Sequence, residues 1–467
     1  MLHIHDANRP ISRRKMLTIG GLGLGGMTLP SLLATRAAGA EAAKHVRGKS
    51  VIFLFQQGGP SQFETFDPKP DAADGVRTVT GVTNTNVPGT IFGDTMQQTA
   101  KLADKLTIVR GFQTGNGGHN IQPIVGPDSL EANIGVHYSR VVGATRNSTG
   151  MPTNAVIYPA SVSEDVPGPS ARGDMLATGP HSKAYKPFMP GKGGQLQQDM
   201  SLNLPRERFF NDRQKVLSEL DRLNRQMDAG GQLDALDDMQ RQSYEILLGG
   251  GVAEALDLSH EDARTIERYD TSAFVGGRRW NHVSRGRSGY YNSQAQTIGH
   301  LLLLARRLCE AGCGFVTIHA GYAGVWDMHA DGNNLNMTDS MNAVGRSFDH
   351  AVAAFVKDLE ERGLSDKIML VCTGEMGRTP RINSRGGRDH WSKLAPLLLY
   401  GGGLSGGQII GQSTLDGGEP VDNPITPKHL VSSIMHTLFD VGELRLVSGI
   451  PAEVSRLAAA DPIPGLV

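Results

Sequence analysis

The apolar run KIMLVCT (367–373) passes directly into GEMGRTPRINSRGGRDHW (374–391). A short, almost wholly apolar run that ends at a glycine reads as a buried strand. The loop behind it has few apolar residues and therefore little packing role. In an open α/β sheet, ligands gather just beyond the carboxyl ends of the strands, which is where this loop begins. Glu375, Asp389 and His390 are thus candidate metal ligands, and Arg378 and Arg388 candidate catalytic contacts to an anion. The other reading of the two arginines is structural: ion pairs to Asp389 or Glu375 that fix the loop.

Outward from this stretch, strand and helix patterns alternate. Strands are predicted at 48–59 (GKSVIFLFQQGG), 105–110, 154–158, 314–319 and 395–400, and helices at 293–311 and 339–362. A last helix follows a Gly-rich turn and is capped by Thr426-Pro427. This order predicts an α/β fold: a doubly wound, mostly parallel sheet with helices on both faces. Residues 48–467 are read as one such domain. It carries a helical insertion at about 205–270, where Val216, Leu217, Leu220, Leu223 and Met227, then Leu233, Leu236, Met239 and Ile246, recur at helical spacing. Ser259 to Asp262 resembles a cap before a third helix. The insertion covers the sheet or, alternatively, forms a dimerising hairpin. Residues 121–200, rich in Gly, Pro and Ser, are read as substrate-shaping loops or a mobile insertion.

Lys plus Arg total 46 against 47 for Asp plus Glu, which argues against a nucleic-acid or polybasic membrane footprint. Three cysteines, Cys309, Cys313 and Cys372, make neither a disulfide framework nor a zinc knuckle and read as core residues. Ser12-Arg13-Arg14-Lys15-Met16-Leu17 has the twin-arginine form, followed by a Gly-rich apolar run and a small-x-small cleavage site at Ala38-Gly39-Ala40. Residues 1–40 are therefore expected to be a signal peptide read by the twin-arginine translocase, with periplasmic or secreted delivery. The apolar run is too short and glycine-rich for a stable membrane span.

Other polar residues lie past other predicted strand ends. Asp327 and His329, in WDMH (326–329), follow the strand at 314–319 and are two apart; in an extended loop they are expected to diverge unless the chain kinks. Gly111 to Asn120 (GFQTGNGGHN) offers Thr114 as a candidate nucleophile and His119 as a further metal ligand, or else is an ordinary Gly-rich turn. Ser61, beside Gly58-Gly59, is a second candidate nucleophile. No GxxxxGK[ST] loop occurs. Oxygen and imidazole ligands together suit a divalent ion, zinc by default, with calcium, magnesium or manganese as alternatives.

GGPSQFETFDPKP (58–70), LLLLARRLCEAGCGFVTI (301–318), WDMH (326–329), GEMGRTP (374–380), GRDHW (387–391) and GGGLSGGQIIG (401–411) together resemble the domain-of-unknown-function 1501 family, over nearly all the mature chain. That family comprises twin-arginine-exported, sulfatase-like relatives in the alkaline phosphatase superfamily. The resemblance implies a metal-dependent hydrolase of small-molecule or glycan phosphate or sulfate esters. It also implies that Asp327, His329, Glu375 and His390 match ligand positions. The chain departs from the superfamily in three ways: Gln56 or Gln57 stands where an aspartate ends the first strand, Met376 replaces a histidine, and the formylglycine motif is absent. These departures keep open an alternative, a non-catalytic exported binding or envelope protein with the same fold.

Overall fold

The computed structural model describes residues 44–146, 149–191, 251–276, 283, 285–447 and 450–466. The expected signal segment and the predicted helices through 216–246 lie outside the described residues.

In chain order the strands are β1 (Ser50–Phe55), β2 (Val82–Asn84), β3 (Ile91–Gly93), β4 (Leu106–Val109), β5 (Asn154–Ile157) and β6 (Phe315–His319). They continue as β7 (Ile368–Thr373), β8 (Gly377–Arg378), β9 (His390–Trp391), β10 (Leu397–Gly401) and β11 (Gln408–Ile410). Seven of them form one sheet in the order β11-β4-β10-β7-β1-β6-β5. The neighbours pair in parallel, except that β10 runs antiparallel to both β4 and β7. All the predicted strands are present. β11 falls within the stretch read as a Gly-rich turn, and the β2–β3 ribbon had no counterpart in the sequence reading.

β1 shows why the sheet is central. Ile52 and Leu54 face a layer with Ile298, Leu301, Phe348 and Phe355, from the helices Arg285–Glu310 and Arg346–Arg362. Val51, Phe53 and Phe55 face the opposite layer with Ile134, Tyr138, Ile434 and Leu438, from the helices Ile134–Val142 and Pro427–Leu438. A strand buried on both faces needs a continuous apolar run, and each such side chain contributes roughly 1.5–3 kcal/mol of burial free energy. The three cysteines are free and buried, as core residues. Asp262 caps the helix Ala263–Arg268 through the Thr265 N–H, as its sequence context predicts.

The parallel strands β1, β4, β6 and β7 end at one edge of the sheet. Because β10 is antiparallel, it starts at that same edge. The loop leaving β7 at Thr373 therefore returns to the sheet beside its own point of departure.

Candidate metal centre

The turn after β1 brings three loops together. Gly58 has φ +119, and a Cβ there would lie 2.6 Å from the Asp327 N and 2.7 Å from Trp326 main chain. Only glycine lets the segment carrying Asp327 lie against the end of β1. The Gly58 N–H donates to Glu375 Oε1 at 2.8 Å, tying in the loop after β7. Arg378 completes the join from beneath. Its Nε donates to the Gly59 carbonyl at 2.7 Å and its Nη1 to the Arg388 carbonyl at 3.1 Å. Its Nη2 reaches the Gly58 carbonyl, the Trp326 carbonyl at 3.0 Å and Asp327 Oδ1 at 2.9 Å. Across the two-residue ribbon β8–β9, Arg378 pairs with His390, which sets the histidine over the same point.

At that point Asp327 meets three imidazoles. His119 Nε2 lies 3.0 Å from Oδ2, while His329 Nε2 and His390 Nε2 lie 2.8 and 3.2 Å from Oδ1. The ligand atoms of His119, Asp327, His329 and His390 all fall within 4.8 Å of one another. Asp327 and His329 come together rather than diverge, contrary to expectation. Residues i and i+2 of an extended segment share a side, and Met328 between them is fully buried.

The other nitrogen of each ring is held by an oxygen. His119 Nδ1 meets Glu375 Oε1 at 2.9 Å, His329 Nδ1 meets Asp389 Oδ1 at 3.1 Å, and His390 Nδ1 meets the Gly117 carbonyl at 2.9 Å. Oxygens that accept there favour protons on Nδ1, so that an ion displacing the Nε2 protons would meet three inward lone pairs, the arrangement typical of metal-bound histidines. Asn334 Nδ2 donates to Asp327 Oδ2 at 3.1 Å, and Asn334 Oδ1 is buried with no partner among the described residues.

The electrostatics favour positive charge at the centre. Burial opposes ionisation of Asp327, but hydrogen bonds from the three histidines and the Arg378 charge outweigh it and hold its pKa well below the usual carboxylate range. Burial lowers the pKa of His119, yet its contacts with Asp327 and Glu375 raise it to about 9. The Asp327 hydrogen bond likewise raises that of His329. Burial alone raises the pKa of Glu375, which is wholly enclosed.

The donor set is three nitrogens and one carboxylate oxygen, with an unpartnered amide oxygen beside it. It fits a zinc-, iron- or manganese-type ion. Calcium and magnesium take oxygen ligands and match it poorly, so those two alternatives are not favoured here.

The remaining candidates stand elsewhere. Glu375 and Asp389, expected as ligands, instead sit behind His119 and His329. Arg378 and Arg388 are both fully buried and are closer to the structural reading, though with other partners than expected. Arg378 pairs with Asp327, while Arg388 pairs with Glu64 at 3.0 Å, covers the Phe63 ring and donates to the carbonyls of Val76 and Arg77. Ser61 is fully buried and its hydroxyl donates to Glu64. Thr114 lies in the His119 loop, where its Oγ1 contacts the Asn116 main chain at 3.4 Å.

Gln57 was noted only as a missing aspartate, but its amide is fully used. Nε2 donates to the carbonyls of Arg172 at 2.8 Å and His119 at 3.3 Å. Oε1 accepts from the Arg172 N–H at 3.2 Å and from His319 Nε2 at 2.9 Å. Glu64 and Asn334 were also missed. The only sequence signal was their place within the quoted family stretch, for Glu64, or seven residues beyond Asp327, for Asn334.

A family model described as "Protein of unknown function (DUF1501)" matches residues 48–447. No curated protein matches the chain. Among solved structures, it is similar to Ps i-CgsB at 10% identity, covering 86% of this chain and 74% of that one with a TM-score of 0.33. It is also similar to the PsFucS1 sulfatase from Pseudoalteromonas sp., at 12% identity, 82% and 69% coverage and a TM-score of 0.32. The alkaline phosphatase of the Antarctic bacterium TAB5 matches at 13% identity, 76% and 92% coverage and a TM-score of 0.25. At such scores no residue correspondence follows.

Proposed function

We propose, for a chain that belongs to the DUF1501 family, that it is an exported metal-dependent hydrolase of phosphate or sulfate esters, sulfatase-like without formylglycine. The observation that carries this reading is the convergence of three Nε2 atoms on Asp327, each ring fixed through Nδ1. His119, Asp327, His329 and His390 would hold the ion, with zinc the first choice. A divalent ion held there supplies Lewis-acid polarisation of an ester oxygen.

The chain's own residues prepare the site. Glu375, Asp389 and the Gly117 carbonyl orient the imidazoles. Asn334 and Arg378 hold the carboxylate. Thr114 is the proposed nucleophile because it shares the short loop with His119; Ser61 is the weaker candidate, with its hydroxyl engaged by Glu64. Export by the twin-arginine translocase to the periplasm rests on the Ser12-Arg13-Arg14 motif. Among the described residues no helix is long and apolar enough to cross a membrane.

Elemental analysis of protein exported by its own cell, with assays on aryl phosphates and aryl sulfates, tests the proposal. About one bound transition ion per chain and turnover that disappears in Asp327→Asn are expected. Absence of any divalent ion, with no response of activity to added metal, would sink it. The second reading, a binding or envelope protein that keeps the fold without the chemistry, draws on one observation. The Thr114 and Ser61 hydroxyls both contact neighbouring protein groups, Asn116 and Glu64, and neither residue belongs to the four-residue group. That reading expects His390→Ala to leave ligand binding intact.

A further inference from the structure

Beside the metal centre one buried polar atom is left over. Asn334 is 6% exposed, and its Oδ1 has no donor among the described residues. A buried acceptor without a donor is costly, and a bound ion or water is the usual relief. The amide to which this atom belongs stands at the centre itself. Its Nδ2 lies 3.1 Å from Asp327 Oδ2, the oxygen that His119 Nε2 meets at 3.0 Å. His329 and His390 stand at 2.8 and 3.2 Å from Oδ1 of the same carboxylate. Asn334 thus closes on Asp327 at the same range as the three imidazoles.

The chain is built to hold it there. Asp331 Oδ1 accepts from the N–H groups of Asn333 and Asn334, both at 2.9 Å. The Ala330 N–H donates to the Leu335 carbonyl at 3.2 Å. Ala330 itself has φ +58, in the left-handed region that a residue with a Cβ seldom enters. These contacts close residues 330–335 into a turn that leads back from His329 to Asp327. The soft motion left to Asn334 is χ2, a broad and roughly two-fold torsion, so its amide can present either Nδ2 or Oδ1. A carboxylate alone calls for the N–H side, whereas a cation shared with the carboxylate calls for the oxygen. Arg378, the other side chain on this carboxylate, can only donate.

We infer, resting on the metal-centre reading above, that Asn334 is a fifth metal-holding residue of this site and, through its amide oxygen, helps to decide which divalent ion is retained. Zinc sites commonly close at four ligands, while an additional carbonyl oxygen suits manganese. Asn334 therefore narrows the margin by which a nitrogen-rich site favours zinc over manganese. A residue that only donated to Asp327 would support every ion alike.

The affinities of the full chain for Mn2+ and Zn2+ would be measured by competition with a chromogenic chelator. The wild type is compared with Asn334→Leu, Asn334→Ala and Asn334→Asp, and thermal unfolding of each metal-free chain verifies folding. Asn334→Leu and Asn334→Ala are expected to raise the ratio of zinc to manganese affinity about tenfold or more, the scale on which single side chains at metal sites act. Asn334→Asp keeps an oxygen but cannot donate to Asp327, and should hold the wild-type ratio or move it toward manganese. Loaded with Co2+, the wild type should show a weaker visible band than Asn334→Leu, since d–d absorption weakens as coordination rises from four to five. A zinc-to-manganese ratio within twofold of the wild type in the Leu and Ala variants, or an unchanged cobalt band, overturns the inference and leaves the metal reading intact. A wild-type chain that binds neither ion overturns both. Should Asn334→Leu fail to fold, the Ala and Asp variants decide by the same ratio.

Discussion

His329 Nε2 and His390 Nε2 lie 2.8 Å apart, while Nδ1 of each ring is held by an oxygen, of Asp389 and of Gly117. A carbonyl oxygen only accepts, so the His390 proton resides on Nδ1, and its Nε2 presents a lone pair to its neighbour. His329, whose pKa the Asp327 hydrogen bond raises, offers a proton at its Nε2 toward that lone pair, and a divalent ion that displaces this proton would be held by both nitrogens. A bound divalent ion should therefore stabilise the fold strongly. At a free ion concentration a hundred times its Kd the gain is about 2.7 kcal/mol. Thermal unfolding with and without zinc should show this shift in the wild type and little of it in His390→Ala.

Gly387 offers a way to disturb the centre without touching a ligand. A Cβ at this position would meet the His329 carbonyl group at 2.3 Å and the Met328 oxygen at 2.6 Å. Backbone atoms cannot step aside as a side-chain tip can. Gly387→Ala should push the 387–391 segment away from His329 and reduce metal affinity at least tenfold, read by competition with a chromogenic chelator.

Gln57→Glu tests whether this residue is a damaged ligand or a working bracket. A carboxylate there would face the carbonyls of Arg172 and His119 with no hydrogen to give. The loss of two donors predicts destabilisation by roughly 1–3 kcal/mol in urea unfolding. If the substitution instead raised stability or metal stoichiometry, the bracket interpretation would be wrong.

Two buried histidines set a pH dependence away from the metal ligands. Burial lowers the pKa of His137 to about 4 and that of His319 to about 3, from 6.5. Between about 6.5 and 4 the unfolded chain binds protons at these sites that the folded chain refuses. Stability from these groups is thus full above 6.5 and is lost as pH falls toward 4, with a slope of about 1.4 kcal/mol per pH unit for each histidine at most. Urea midpoints at pH 7 and pH 5 should differ less for His137→Gln than for the wild type.

The sheet was legible because its strands are continuous apolar runs, as in KIMLVCT, which only burial on two faces explains. Asp327, His329 and His390 were legible because polar residues were dense just past strand ends. The role of Glu375 and Asp389 was not. A carboxylate that binds an ion and one that holds the far nitrogen of an imidazole occupy similar places in a sequence. Arg378 and Arg388 misled for a related reason. Nothing in GEMGRTP shows that the carbonyls of Gly58, Gly59 and Trp326 converge on one guanidinium, because they come from loops more than 250 residues apart in sequence. His119 was named only as an option because glycines surround it, and glycine-rich turns are common without ligands.

The antiparallel course of β10 governs how the centre can open. The segment from Gly374 to Pro396 is tied at one end to β7 and at the other to β10, two adjacent interior strands. Such a span is fixed at both ends and can bend only between its anchors. Releasing His390 by backbone motion requires the β8–β9 pairing of His390 with Arg378 to open while both anchors stay fixed. The amides of β10, an interior strand, should exchange with solvent at nearly the rate of global unfolding even without metal, and those of the two-residue ribbon strand β9 sooner.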